Sequence, residues 1–271
     1  MSAAPLLRVE SVSKRFPNGA QALEQVSCEV AEGEFVALLG PSGCGKSTLL
    51  RLAAGLSAPT AGSIMWSDAA RPPRSTASRA APPVAFVFQE PTLLPWATVA
   101  RNVGLPLRLQ GVARREVRAL TAEALELVGL QDFARAYPRE LSGGMQMRAS
   151  VARALVTHPR LLLLDEPFAA LDEITRNKLN DDLLAAWQRR GWAAVFVTHS
   201  VFEAVYLASR VLVMSARPGR ILAELTVQLP YPRDRSLRTS AAYIDVCRQA
   251  SAALEQALAP AEAAAHAGRQ P

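Results

Sequence analysis

One stretch limits the possible folds more than any other: GPSGCGKST at 40–48. Gly40, Gly43 and Gly45 permit backbone conformations that a Cβ resists. Such a loop can turn its N–H groups inward around an anion, and a helix starting directly behind it adds partial positive charge. The flanks fit this reading. FVALL before the loop is an apolar run of strand length. Behind it, Leu49, Leu52, Ala53 and Leu56 recur at i, i+3, i+4 and i+7, one face of a helix. Strand, glycine-rich loop and helix predict an α/β chain whose loop cradles nucleotide phosphates, with Pro41, Ser42, Cys44 and Thr48 completing the lining. Lys46 then reaches the β- and γ-phosphates and the Ser47 hydroxyl ligates Mg²⁺. The alternative is a plain glycine-rich turn at a strand end. Lys46 is one of only three lysines in the chain, which weighs against it.

The 271 residues suffice for one large α/β domain or two small ones. LLRVESVSKRF (6–16) and ALEQVSCEVAEGEFVALLG (22–40) read as strands, with a turn at Glu32-Gly33. Further strands are expected at VAFVFQ (84–89), LLLLD (161–165), AAVFVTH (193–199) and RVLVMS (210–215). From about 90 to 160 the pattern is helical, as in REVRALTAEALELVGL, with Gly129 as a helix stop. SDAARPPRSTASRAAPP (67–83) reads as a flexible surface excursion. Beyond about 233 the chain is Ala-rich, with one helix near 240–258 and a frayed end. There is no internal repeat.

Net charge +6 invites a nucleic-acid reading, but only three of the 30 basic residues are Lys and the arginines are scattered along the chain. A genomic compositional bias accounts for that better than a binding patch, and no nucleic-acid partner is expected. A mildly basic surface still suits an anionic membrane face. No run approaches the ~18–20 apolar residues of a membrane span. The opening MSAAPLLRVE lacks the basic and apolar regions of a secretory signal, so the chain is expected in the cytosol. Cys28, Cys44 and Cys247 form no CxxC pair, which predicts reduced thiols and neither disulfide nor zinc site. Cys44, between a helix N-terminus and Lys46, is expected to be a reactive thiolate, the alternative being a small loop filler of low reactivity.

Two more motifs carry chemistry. In LLLLDEP, Asp165 ends a buried strand and would hold the Mg²⁺ hydration shell, while Glu166 orients and deprotonates an attacking water. Alone, this acidic pair serves equally well as a helix cap before Pro167. In LSGGMQMR (141–148), Ser142 has the chemistry of an N-cap, and Gly143 and Gly144 allow close backbone approach to an anion. Alone, the octamer reads better as a plain serine-capped helix; beside the chain's own phosphate loop, which already provides a cradle, it is expected to serve a different nucleotide.

With these residues in place, the chain resembles the ATP-binding cassette (ABC) family over about 6–230: GPSGCGKS its Walker A, LLLLDEP its Walker B, LSGGMQ its signature. The resemblance implies an α/β P-loop NTPase core with an antiparallel β subdomain and an inserted α-helical subdomain. That ATPase domain would span 1–232, with the helical part about 90–160, followed by an Ala-rich C-terminal helix and tail at 233–271. It implies ATP and Mg²⁺ as cofactors and a head-to-tail dimer, in which Ser142, Gly143, Gly144 and Gln146 cap the γ-phosphate held by the partner. Gln89 resembles the Q-loop glutamine that senses Mg²⁺ and the γ-phosphate. Asp172 resembles the D-loop aspartate at the dimer interface, and His199 the switch histidine. Phe16 resembles the aromatic that stacks on adenine, although an ordinary strand aromatic fits nearly as well. Met147 departs from the family, which has a second glutamine there.

LLPWATVARNV (93–103) lies where cassettes of the family meet a permease. With THSVFEAVYLASRVLVMSARPGRI (198–221), it resembles the nitrate, sulfonate and taurine importer subfamily, which includes pyrimidine-precursor systems. The partners so implied are a second ATP-binding subunit, an integral membrane permease and, indirectly, a solute-binding protein outside the membrane. The chain would sit peripherally on the cytoplasmic face of the inner membrane. Trp96, behind Leu93–Pro95, is the expected interface anchor. Two other classes fit less well. Translation and repair members of the family carry a second cassette or a long coiled coil, and a small-molecule kinase leaves LSGG, Asp172 and His199 unexplained.

Overall fold

The structure, a computed structural model, describes residues 5–67 and 84–267. Apart from Ser67, the surface excursion expected at 67–83 lies outside them. The chain divides into two compact units, Met1–Ala69 with Ala193–Pro271, and Ala70–Trp192.

The first unit begins with β1 (Leu7–Arg15), β2 (Gln21–Val30), β3 (Phe35–Leu39), α1 (Lys46–Ala53) and β4 (Ala61–Trp66). It is completed by β7 (Ala193–Thr198), α7 (Val201–Leu207), β8 (Arg210–Met214), β9 (Ile221–Thr226) and α8 (Ala241–Ala267). β2, β1 and β4 form an antiparallel sheet in that order. Along β1, Leu7, Val9 and Val12 are buried, while Arg8 pairs with Glu29 across to β2 at 2.7 Å. β3 runs parallel between β7 and β8, with Phe35 opposite Ala194 and Val36 opposite Arg210. All of β3 is buried, as expected of a strand covered on both faces. β9 adds antiparallel to β8.

Two expectations need correction. α1 stops at Ala53 because Gly55 turns into the left-handed region (φ 71°). Leu56 therefore leaves the apolar face and is 62% exposed. The C-terminal helix runs on to Ala267 instead of ending near 258, in keeping with the high helix propensity of Ala. It is docked on the first unit: Tyr243, Cys247, Ala250 and Ala257 are buried, and the Tyr243 hydroxyl donates to the Phe202 carbonyl at 2.8 Å. The buried Arg233 guanidinium donates to the Val205, Tyr206 and Ala208 carbonyls at 2.9, 2.8 and 3.0 Å, closing the C-terminal end of α7.

In the second unit, β5 (Val84–Val87) pairs in parallel with β6 (Leu161–Asp165), Val84 facing Leu161. Between them come α2 (Val99–Val103), α3 (Leu105–Leu109), α4 (Arg114–Leu127) and α5 (Gly143–Leu155); α6 (Glu173–Arg190) follows β6. α4 stops just short of Gly129, as its sequence predicted. No helix of the described residues is long and apolar enough to cross a membrane.

Candidate functional site

Each unit carries a share of the candidate residues. In the first, the chain leaves β3 at Leu39, turns through 40–45 and enters α1 at Lys46. Gly45 has φ 109°, and a Cβ there would lie 2.7 Å from the Ala22 carbonyl oxygen and 2.8 Å from Leu23 Cδ2. Any other residue would push the loop off β2. Gly43 faces open space, with nothing within 4 Å of an added Cβ. Lys46 is 4% exposed, and its ammonium donates to the Gly40 and Pro41 carbonyls at 2.8 and 2.9 Å. Those bonds hold the cation over the loop. Ser42 and Gly43 are exposed, Pro41, Ser47 and Thr48 partly so.

Cys44 corrects an expectation. Its residue is 1% exposed and its Sγ would lie 3.0 Å from a Cβ added at Gly40, so the thiol is packed inside the loop. The loop's outer side rests on Gly219, which sequence reasoning missed. A Cβ at Gly219 would fall 2.1 Å from the Cys44 carbonyl oxygen. Gly219 is tied to β2 through Gly219 N–H to Ala22 O (2.9 Å) and Glu24 N–H to Gly219 O (3.0 Å). The Pro218-Gly219 dipeptide was the available signal.

His199 follows β7 and is exposed. Its turn is fixed by neighbours: the Thr198 hydroxyl donates to buried Glu203 at 2.5 Å, and the Ser200 N–H donates to Thr198 Oγ1 at 3.0 Å. The S-x-x-E spacing of Ser200 and Glu203 resembles a capping box, and Ser200 does cap α7 through the Glu203 N–H at 3.4 Å. The Glu203 carboxylate, however, serves Thr198. Phe16 lies beyond the end of β1, 40% exposed, with the Lys14 ammonium 5.7 Å from its ring centroid.

In the second unit, Ser142 caps α5, its Oγ accepting from the Met145 N–H at 3.3 Å. The two glycines differ. Gly143 is exposed, whereas a Cβ at buried Gly144 would meet Thr175 Cγ2 at 2.8 Å, so Gly144 also lets α5 approach α6. Gln146 donates to the Pro138 and Leu141 carbonyls at 3.0 and 3.3 Å, anchoring the turn that presents Ser142. Met147, the departure from the family pattern, is buried in α5.

Asp165 ends β6 and is 5% exposed. Glu166, the next residue, is half-buried and takes a left-handed backbone with φ 46°. A non-glycine residue holds such a conformation at a cost of about 1–3 kcal/mol. Asp172 is exposed and caps α6 by accepting from the Thr175 N–H at 3.0 Å, which holds its carboxyl below the usual aspartate value. Arg176 clamps the same turn through the Leu171 carbonyl at 2.7 Å.

Gln89 is exposed just beyond β5. The segment after it is braced by Arg153 of α5, which donates to Pro91 O (2.9 Å), Thr92 O (2.8 Å) and Thr92 Oγ1 (2.9 Å). Thr92 itself is left-handed, φ 47°. Asn102, 0% exposed, holds the loop that presents Trp96, a residue 73% exposed. None of Arg153, Arg176 and Asn102 was singled out from the sequence.

Comparison with known proteins converges with this geometry. The family model described as ABC transporter matches residues 23–169, more than half of the chain. The nitrate import ATP-binding protein NrtD of Synechocystis sp. is 47% identical over 209 residues, 77% of this chain and 76% of that protein. The aliphatic sulfonates import ATP-binding protein SsuB 2 of Pseudomonas syringae pv. tomato is 48% identical over 224 residues, 83% and 89% of the two chains. Among solved structures, the dimeric, post-hydrolysis ATP-binding cassette MJ0796 bound to ADP and Pi superposes with a TM-score of 0.70 at 31% identity, covering 83% of this chain and all of that one. CbiO1 of Clostridium perfringens, part of the ABC transporter complex cbiONQ, gives 0.74 at 26% identity, covering 87% of this chain and 94% of that one. The chain belongs to the ABC transporter family, as an ATP-binding and ATP-hydrolysing subunit similar to those of nitrate and sulfonate importers.

Proposed function

We propose that the chain powers uptake of a small solute of the nitrate, sulfonate, taurine or pyrimidine-precursor type through a separate integral membrane permease. It works as a homodimer on the cytoplasmic face of the inner membrane, with a solute-binding protein delivering cargo from outside. The observation that carries the catalytic part is the contrast between two consecutive carboxylates: Asp165 buried at a strand end, Glu166 half-buried in a strained left-handed turn. Strain of that kind survives where the surrounding structure over-determines it, which suits a group held for chemistry.

In this reading the loop at 40–48 binds the triphosphate and Lys46 neutralises its β- and γ-oxygens. Gln89 and His199 flank the γ-phosphate, and Glu166 takes the proton from the attacking water. Phe16 offers a face for the adenine. Ser142, Gly143 and Gly144 close the partner's site, with Gln146 holding their turn and Asp172 shaping the adjoining surface. Ser47, Gln89 and, through water, Asp165 form an oxygen donor set of the kind Mg²⁺ takes alongside substrate phosphates. The ion would supply charge neutralisation at those phosphates.

The test is genetic and biochemical together. Purified from its native membrane, the chain should bring an integral membrane partner with it. A deletion strain should lose growth on one class of sulfur or nitrogen source, with the binding protein titrating that compound. Normal growth on every such source and purification free of any membrane protein would overturn the importer reading.

A further inference from the structure

The helical part of the second unit holds a cleft of about 660 Å³ that the nucleotide chemistry does not use. That volume falls within the ~300–1,000 Å³ of small-molecule sites. Four arginines line it: Arg101 of α2, Arg108 of α3, and Arg114 and Arg118 of α4. Three short stretches of chain thus bring four positive charges to one concavity. Arg114 and Arg118 stand one turn apart on the same helix face, whereas Glu116 falls on the opposite side. Glu123 is occupied elsewhere, paired with Arg190. The guanidinium of Arg108 donates to the Arg101 carbonyl, which joins two of the four. None of the four has a carboxylate partner among the described residues.

Like charges gathered in a concavity repel one another, and a low-dielectric wall strengthens their joint field. Here the floor is apolar, made by Val117 and Leu125. Thr121, buried, also lines the cleft, its Oγ1 packed against Gly104.

We infer that this cleft binds a phosphate-bearing anion, held by the arginine forks over an apolar floor. Guanidinium groups match phosphate oxygens in pairs, and several of them suit a ligand with more than one negative charge. The phosphate belongs either to a free polyphosphate or to an anionic lipid headgroup.

The experiment uses the full chain carrying Lys46→Ala, which removes the phosphate-loop contribution, with and without Arg108→Gln plus Arg118→Gln. The probes are inorganic pyrophosphate, measured by calorimetry, and vesicles of phosphatidylglycerol or phosphatidylcholine, measured by co-sedimentation. Saturable binding of pyrophosphate assigns the site to a free phosphate. Binding to phosphatidylglycerol but not phosphatidylcholine vesicles, without pyrophosphate binding, assigns it to lipid. In either case the double variant should bind at least about tenfold more weakly. All four arginines are exposed, so the double variant made with Lys46 intact should keep the wild-type melting temperature and ATPase rate. Absence of binding to both probes, or binding unchanged in the double variant, overturns the proposal. So does a double variant that loses permease association while neither probe binds, since the arginines would then meet a protein carboxylate.

Discussion

Asn102 permits a quantitative prediction about the loop that presents Trp96. Its Oδ1 accepts from the Leu94 N–H at 2.7 Å, and its Nδ2 faces the carbonyls of Leu94, Ala97 and Thr98 at 3.1, 3.0 and 3.2 Å. Three carbonyls share two N–H donors, so at most three hydrogen bonds form at once. Asn102→Ala removes all of them and orphans the Leu94 N–H and the Ala97 carbonyl, whereas the Leu94 and Thr98 carbonyls keep the Ala97 and Asn102 N–H groups at 3.1 and 2.8 Å. At a net ~1 kcal/mol per bond, with some penalty for the orphaned groups, the loss should be about 2–4 kcal/mol. For a chain of this size that is a fall in melting temperature of roughly 4–16 °C. Urea unfolding followed by circular dichroism measures it, and limited chymotrypsin digestion should cut faster after Trp96. Asn102→Asp should be worse near neutrality, because it sets a carboxylate against three carbonyls. Burial raises that acid's folded pKa above its unfolded value, so stability should recover as pH falls. A loss below about 1 kcal/mol for Asn102→Ala, with unchanged digestion, would mean that other contacts hold the loop.

Gly219→Ala places a Cβ 2.1 Å from the Cys44 carbonyl oxygen, a backbone atom that cannot yield without moving the phosphate loop. ATP affinity should fall at least about tenfold by fluorescent-nucleotide titration; unchanged affinity would show that the contact is dispensable. Trp96→Ala should leave stability within ~0.5 kcal/mol and ATP binding intact but weaken permease association or transport. Loss of ATP binding with normal assembly would make Trp96 a packing residue. The thiols should be slow towards maleimide: Cys44 is enclosed, burial pushes Cys28 up to about 12, and burial raises Cys247 as well. Raising pH towards 10 should speed Cys28 labelling as its thiolate appears, while unfolding should expose all three cysteines. Rapid labelling of native Cys44 at neutral pH would contradict its burial.

What the sequence disclosed was local. FVALL followed by the glycine-rich loop announces β3, the turn and α1 because each depends on neighbours in the chain. The same holds for Ser142 as a cap and for LLLLD as a buried strand. β4 and β9 escaped notice because AGSIMW and ILAELT carry weak patterns and owe their conformation to pairing with β1 and β8. α6 escaped because its buried Leu179, Leu183 and Leu184 are interleaved with charged and amide residues. Leu56 misled because periodicity does not register where Gly55 ends the helix. In the site, the missed residues are those whose role is a distant contact: Gly219 on Cys44, Arg153 on Thr92. The arginine cleft belongs to the same class, since its members share a surface only after three helices have packed.

The central claim is that each ATP bridges one chain's phosphate loop to the other's Ser142 turn, with Glu166 as the base. Glu166→Gln keeps the side chain's shape and removes its basicity, so hydrolysis should fall by at least ~10²–10⁴-fold while ATP binding persists. With ATP this variant should form a lasting dimer by light scattering, and adding Ser142→Arg should abolish the dimer without impairing binding to the monomer. Wild-type hydrolysis by Glu166→Gln, or ATP-dependent dimers of the double variant, would contradict the account.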